Sequence, residues 1–423
     1  MIKQSFGSDS IDQLMASAGI GDVFATNTEK LVQFAGPFFE NLPGFVARVN
    51  ETADLAAMEA AAQRITAQAS DILLFGTGGS SLGAQAALVA GRYGQEIGPV
   101  IHTPDSLDPF EMTRLIEKLN PLTTHVLAIS KSGTTPETLA QLLVARSWLD
   151  QSIPQARIGE HFTFVTEPGE RALRSYGEKL GSTILDHPTD VGGRYSVLTV
   201  VGMLPMMLKG LSVEGFRAGA TAVIDSVREN PASSIPLVGA AFIQTLAQEK
   251  GMQETLLMAY ADCMRAFTRW HGQLWAESLG KDGTGITPIR AVGPVDQHSQ
   301  LQLFLDGPNN RSVTLITLPS LGEGPSIDGA AANALGLSYL ADRTIGDMVT
   351  SQGQATGNAL RARGRFVRDL IIPDLSEETF GALFMSYMLE TVFTAELMGV
   401  DAFDQPAVED GKILTRQYLS DLG

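Results

Sequence analysis

The sequence predicts an α/β protein built from two doubly wound parallel-sheet domains, with additional helices at its N- and C-terminal ends. Three observations carry that expectation. Short apolar runs of strand length alternate with longer segments of helical period, the pattern of parallel strands covered by helices on both faces. The cycle occurs twice, before and after a break at Asn230-Pro231. Loops rich in glycine or in hydroxyl side chains follow the clearest strands, at the end of the sheet where open α/β folds place their ligands.

Residues 1–65 read as an N-terminal segment of amphipathic helices, with breaks at Gly36-Pro37 and Pro43-Gly44. The first α/β domain is expected over residues 66–228. In it, 72–75 reads as a strand leading to a glycine-rich loop and an alanine-rich helix. Residues 126–129 form a buried strand leading to a hydroxyl-rich loop and a helix reaching about Leu149, and 162–165 is a further short strand. The second domain is expected over 229–398. Residues 237–249 and 264–281 read as helices, 254–260, 313–318 and 366–372 as strands, and 377–398 as one long helix. Residues 399–423 are expected to form an ordered loop and a last helix beside the functional site.

The chain has 423 residues, 44% of them hydrophobic and 18% charged, which is enough for two substantial cores. A net charge of −17 argues against nucleic acid as a partner and requires any anionic ligand to be held by a local basic pocket. A single cysteine, Cys263, excludes intrachain disulfides and suits a reducing compartment. The first residues lack the apolar core of a signal peptide, and no apolar run reaches 18 residues. A cytoplasmic protein without membrane contact is expected. The six histidines show no spacing of metal ligands, so no metal is expected.

Residues 126–138, VLAISKSGTTPET, are the most informative stretch. A buried strand runs into five hydroxyl side chains within nine residues, and Pro136 then opens a helix. Such a loop aims hydroxyls, free backbone N–H groups and a positive helix end at one point, a good site for a phosphate monoester. Ordinary capping of the helix by Ser or Thr is the alternative. The loop Gly76-Thr77-Gly78-Gly79-Ser80-Ser81-Leu82-Gly83 begins like a dinucleotide fingerprint but has Ser81 at the third glycine position. It fits a partner loop of 130–135 for a sugar phosphate, or a tight strand–helix turn.

Further along, Arg194 lies beside Gly192 and Gly193, placed either to reach oxyanions in a cleft or to pair with Asp190 at the surface. Gln273 and Glu277 lie four apart on one helix face, and Trp270 and Trp275 suggest a partly desolvated environment for Glu277, a candidate general base. A solvated glutamate is the plainer reading. His298 sits in the polar segment Asp296-Gln297-His298-Ser299, suited to proton transfer or to a structural loop role. Gln405 and Lys412 lie on the C-terminal loop, facing a ligand or solvent.

Taken in order, the motifs resemble the glucose-6-phosphate isomerase (phosphoglucose isomerase) family. The matching residues are Gly78-Gly79-Ser80-x-Leu82-Gly83, Ser130-Lys131-x-x-Thr134-Thr135, Gly192-Gly193-Arg194-x-Ser196, Gln273 with Glu277-Ser278, Asp296-Gln297-His298-Ser299, and Asp404-Gln405-x-x-Val408-Glu409-x-Gly411-Lys412. The resemblance implies two sugar-isomerase (SIS) domains, a homodimer, and interconversion of glucose 6-phosphate and fructose 6-phosphate without a cofactor. It further implies that Glu277 shuttles a proton between C2 and C1 and that Arg194 stabilises the enediolate. His298, contributed across the dimer interface, and Lys412 assist ring opening. Gly79, Ser80, Ser130, Lys131, Ser132 and Thr135 hold the phosphate, while Gln273 and Gln405 contact the sugar.

One departure stands out: the family cradle usually has Thr-Phe where this chain has Ser132-Gly133. Gly133 is therefore expected to remove a wall and loosen the loop. The chain is also shorter than most members. An isomerase that also accepts mannose 6-phosphate, and a non-catalytic sugar-phosphate sensor, remain as rival readings. A sensor would need the cradle without Glu277, His298 and Lys412.

Overall fold

A computed structural model describes residues 2–91 and 97–422. Ten strands form two five-stranded sheets: β1 (Lys3–Ser5), β2 (Asp71–Phe75), β3 (Val100–His102), β4 (Thr124–Ile129), β5 (Phe162–Thr166), β6 (Thr183–Asp186), β7 (Glu254–Ala259), β8 (Thr287–Val292), β9 (Arg311–Thr317) and β10 (Val367–Ile371). The first sheet has the order β3-β2-β4-β5-β6 and is parallel throughout. The second has the order β1-β10-β9-β7-β8 and is parallel except for β1. In each sheet the first parallel strand lies inside, its successor pairs on one side, and the later parallel strands extend on the other, three in the first sheet and two in the second. Two doubly wound α/β units are thus present, as the alternation predicts.

Alternation along the strands decides which core each side chain enters. Leu73 and Phe75 of β2 join Val126 and Ala128 of β4 in a core on the outer face of the first sheet. Leu256 and Met258 of β7 do the same with Val313 and Leu315 of β9 in the second. The intervening residues, Ile72, Leu74, Leu127, Leu257, Ala259 and Ile316, share one large cluster that runs through the helices between the sheets. The helix Glu377–Met398 is buried almost throughout in that cluster and packs against helices Val213–Glu229 and Ile235–Lys250. Among the described residues no helix is long and apolar enough to cross a membrane.

Three sequence expectations change. The N-terminal segment is not purely helical: Lys3–Ser5 forms the antiparallel edge strand of the second sheet, paired with β10. The chain does not break at Gly36-Pro37, because helix Gly21–Glu40 continues through Pro37. The phenylalanines around that proline, Phe34, Phe38 and Phe39, pack on one another, and the first two also pack on Phe393. Tertiary packing there outweighs the missing N–H. Finally, β3, β6 and β8 add strands that the apolar pattern does not reveal.

Candidate active site

Strands β2 and β4 are neighbours in register, Phe75 against Ala128, so the two loops that follow them open side by side at the carboxyl end of the first sheet. The strand order reverses direction at this point, which leaves a crevice between the loops. In the second loop, buried Ser130 pairs its hydroxyl with Thr135 Oγ1 at 2.8 Å and accepts the Gly133 N–H at 3.1 Å. The Ser132 hydroxyl accepts from the N–H and the hydroxyl of Thr134 at 3.3 and 3.2 Å. Lys131 reaches the Thr189 carbonyl at 3.2 Å and Glu167 at 3.6 Å.

Helix Pro136–Leu149 begins at Thr135 without any side-chain cap. The hydroxyls therefore do not serve as an elaborate N-cap, and the positive helix end stays available to an anion. The expectation that Gly133 loosens the loop is corrected. Its φ is +66°, a conformation that suits glycine, and a Cβ there would lie 2.7 Å from Arg171 Cβ and 2.9 Å from Thr166 Oγ1. Its carbonyl accepts from Leu173 N at 3.0 Å. Gly133 shapes a closed turn rather than leaving a missing wall.

The glycine-rich loop meets the 3₁₀ turn Gly193–Leu198 back to back, and a side chain at Gly79 would fall on the backbone of Gly193 and Arg194. This close approach carries Arg194 into the crevice, where the residue is only 4% exposed. Asp190 pairs with Arg48 at 2.8 Å, not with Arg194, so the surface-pair alternative fails. The Arg194 guanidinium spends its donors inward. Nε donates to Ser278 Oγ at 2.9 Å, Nη1 to Gln405 Oε1 and to Glu277 Oε2 at 3.5 Å, and Nη2 to the carbonyls of Ala402 and Asp404 at 2.7 and 2.9 Å.

Gln273 and Glu277 project from helix Arg265–Leu279 on one face, and Gln273 Nε2 donates to Glu277 Oε1 at 3.0 Å. Gly78 of the first loop lies against the same amide, since a Cβ there would be 2.8 Å from Gln273 Nε2. The two tryptophans do not wall off the carboxylate. Both indoles are buried and donate to backbone carbonyls, Trp270 to Arg194 and Trp275 to Ile286, whereas the Glu277 side chain is 32% exposed among polar partners. A carboxylate facing a guanidinium, with Gln273 and Gln405 beside them, can move a proton and hold a developing oxyanion at one place.

Two expected members are not brought to this cluster by the chain itself. His298 is exposed at the end of the 3₁₀ turn Val295–Gln297, beyond the carboxyl end of β8, with no side-chain hydrogen bond among the described residues. Its neighbour Asp296 is partly buried, but the N–H of Val292 and the Ser299 hydroxyl hold its carboxyl below the usual range. Lys412 lies on the exposed helix Glu409–Asp421 and pairs with Glu409 at 2.7 Å. Ser80 is half-buried at the crevice and makes no side-chain hydrogen bond among the described residues.

The sequence reading missed several contributors. Ser278 and Tyr195 brace Arg194: the Tyr195 hydroxyl lies 3.0 Å from Ser278 Oγ, and burial pushes its phenol up to about 12, so it stays neutral. Ser278, directly after Glu277 in the matched pair, was the available signal. Thr77 Oγ1 and Gln273 Oε1 are buried at the crevice without hydrogen-bond partners among the described residues. Lys281, which grips the C-terminal turn, gave no signal of its own.

The second sheet has an equivalent reversal between β7 and β9, and a cavity of about 670 Å³ opens there. Its lining includes Asp262, Glu323 and Asp374 together with Pro294, Pro319, Pro325 and Pro373, and no basic residue among the described residues.

Comparison with known proteins gives a consistent result. The family model described as phosphoglucose isomerase matches residues 51–291. The chain is 34% identical over 387 residues to the glucose-6-phosphate isomerase of Rubrobacter xylanophilus, covering 90% of each chain. A hypothetical protein of Thermus thermophilus has a solved structure that superposes with a TM-score of 0.85 at 30% identity, over 99% of this chain and all of that one. The glucose-6-phosphate isomerase structure from Chlamydia trachomatis gives 0.79 at 21% identity, over all of this chain and 89% of that one, and bears on the fold alone.

Proposed function

The chain belongs to the phosphoglucose isomerase family, and from that premise we propose that it interconverts glucose 6-phosphate and fructose 6-phosphate through an enediol(ate). The observation that carries the reading is the meeting of Arg194, Glu277, Gln273 and Gln405 beside two strand-end loops, one of which ends in an uncapped helix. The phosphate occupies the 130–135 loop and the start of helix Pro136–Leu149, with Ser80, Lys131, Ser132 and Thr135 as donors. Ser130 keeps the loop in shape, and Gly79 lets the neighbouring backbone approach.

Glu277 takes the proton from C2 of the aldose and returns it to C1, the reverse direction running through the same enediolate. Arg194 meets the negative charge that develops on the oxygens, held in place by Ser278 and by the 402–405 carbonyls so that little reorganisation is needed. Gln273 fixes the carboxylate, and Gln405 contacts the sugar. Binding the distant phosphate supplies energy that orients the reacting carbons. The proposed chemistry moves one proton between the two carbons and one between their oxygens, and needs no cofactor.

A coupled assay from fructose 6-phosphate to glucose 6-phosphate, with Ser132→Ala/Thr135→Ala alongside, tests the reading. Each lost charge-assisted bond is worth roughly 1.5–3 kcal/mol, so KM should rise more than tenfold. Unchanged KM and unchanged inhibition by inorganic phosphate would reject the cradle.

Ring opening is assigned to Lys412 and to His298, the latter supplied by the second chain of a homodimer. Support for that placement comes from the exposure of His298 and from the lack of any hydrogen bond or ion pair between it and Glu277 or Arg194 among the described residues. Mixing Glu277→Gln and His298→Ala chains should restore part of the activity, because one of the two sites in a mixed dimer escapes both lesions. Confirmed subunit exchange without recovery would place His298 in its own chain's site.

A further inference from the structure

Lys281 stands two residues beyond helix Arg265–Leu279, close to the carbonyl end of that helix, yet its side chain is only 9% exposed. Its ammonium donates to the carbonyl of Ser278 at 3.1 Å and to the carbonyl of Asp401, and it pairs with Asp404 Oδ1 at 2.9 Å. An ammonium has three donors, and all three are engaged. One acceptor belongs to the helix that carries Glu277. The other two belong to the turn formed by residues 401–405.

Beyond Lys281, that turn is held by Arg194 and by the Tyr195 hydroxyl, which donates to the Ala402 carbonyl at 3.3 Å. Ala402 is its one buried residue, and Phe403 is 44% exposed while touching Tyr195 and Phe45 at its edge. Arg194 grips the same turn from the other side, through the carbonyls of Ala402 and Asp404 and the Gln405 side chain. Two cations and the Tyr195 hydroxyl, on the Arg194 side, therefore fix five residues, and the helix that follows them, Glu409–Asp421, has no buried residue of its own.

We infer that Lys281 is a positioning residue that clamps the 401–405 turn to the end of the Glu277 helix, and so sets where Gln405 and the Arg194 guanidinium stand relative to the reacting sugar. The inference rests on the isomerase reading for its catalytic consequence but not for the clamp itself. Without Lys281 the turn is held from one side only. Once it lifts, Arg194 loses three acceptors together, and the nearest charged acceptor left to a buried guanidinium is Glu277, already 3.5 Å away. Arg194 would then be drawn onto the base instead of facing the substrate. The phosphate cradle, on the loop after β4, is untouched.

Hydrogen exchange and steady-state kinetics on Lys281→Met, Lys281→Arg and Asp404→Asn test this. Lys281→Met should raise amide exchange across residues 402–405 at least tenfold. It should also lower kcat by roughly ten- to a hundredfold, the scale of a small misplacement of catalytic groups, with inhibition by inorganic phosphate within twofold of wild type. Lys281→Arg should recover much of kcat, and Asp404→Asn, which removes one leg of the clamp at an exposed side chain, should fall between. Should Lys281→Met not fold, Asp404→Asn carries the same exchange and kcat readings. Unchanged exchange over 402–405 in the folded variants overturns the clamp. Faster exchange with kcat within twofold of wild type overturns its role in positioning. A wild-type enzyme that does not isomerise fructose 6-phosphate would count against the proposed reaction, and the exchange result would still decide the clamp.

Discussion

Glu277→Gln should lower kcat by at least ~10²-fold, the low end for loss of a general base, while inorganic phosphate inhibits as it does in the wild type. The site geometry makes this substitution clean. A glutamine carbonyl at the same place still accepts from Gln273 Nε2, now 3.0 Å from the carboxylate, so the side chain keeps its orientation. It can face Arg194 as Glu277 does, but it cannot take a proton from carbon. Incorporation of solvent tritium into the sugar should vanish together with isomerisation, because both report the same proton transfer. Glu277→Asp should be intermediate: the shortened chain remains basic but withdraws from Gln273 and from the substrate. Near wild-type exchange in the glutamine variant would assign the proton to another group.

The second large effect concerns stability. Arg368 on β10 and Glu390 on helix Glu377–Met398 form a two-pronged ion pair at 2.8 and 2.9 Å with 0% and 1% exposure, and Arg368 Nε also bonds Thr314 at 3.2 Å. Removing one partner from such a pair strands the other charge in a medium that cannot solvate it, which costs about 3–5 kcal/mol. Glu390→Gln should therefore move the urea unfolding midpoint far down. Arg368→Met/Glu390→Leu should recover a good part of the loss, since apolar groups of similar volume do not need the missing water. A single variant with an unshifted midpoint would mean that solvent reaches the pair. The pair also stands behind the helix that carries Glu277. His271 of that helix packs on Tyr387 at 4.8 Å between ring centres, and burial, with Arg368 nearby, holds its imidazole down at about 3. The buried side of the helix is thus neutral at the ring and charged only where charge is matched.

How much of this was legible in the sequence depended on burial. Strands β2, β4, β7 and β9 are buried over nearly their whole length, and their apolar runs stand out. Strand β3 has three residues and none of them buried, and β8 alternates weakly, so neither leaves a periodic trace. The glycine-rich and hydroxyl-rich loops were readable because glycine at a close approach and hydroxyls at a strand end have few other uses. Arg194 was readable only as a candidate, since sequence does not show whether Asp190 or the crevice claims it. The grip of Lys281 was hidden altogether: a lysine is usually solvated, and its two partner residues on the turn lie about 120 positions away along the chain. The tryptophans misled because helical spacing places them near Glu277 in sequence while the core takes both indoles.

The shared strand order of the two sheets has a consequence for stoichiometry. Connectivity alone would offer a phosphate two equivalent berths per chain, one at each reversal. The berth of the first sheet is furnished with hydroxyls, an uncapped helix and nearby guanidinium, whereas that of the second is lined by Asp262, Glu323 and Asp374, with prolines that have no N–H to offer. On the proposed reading, a dianion approaching a chain of net charge −17 finds donors at the first berth and, among the described residues, only carboxylates as charged groups at the second. If the phosphate sits where it is proposed to, a duplicated architecture would act as a monovalent receptor, with one place per chain in which the substrate is counted.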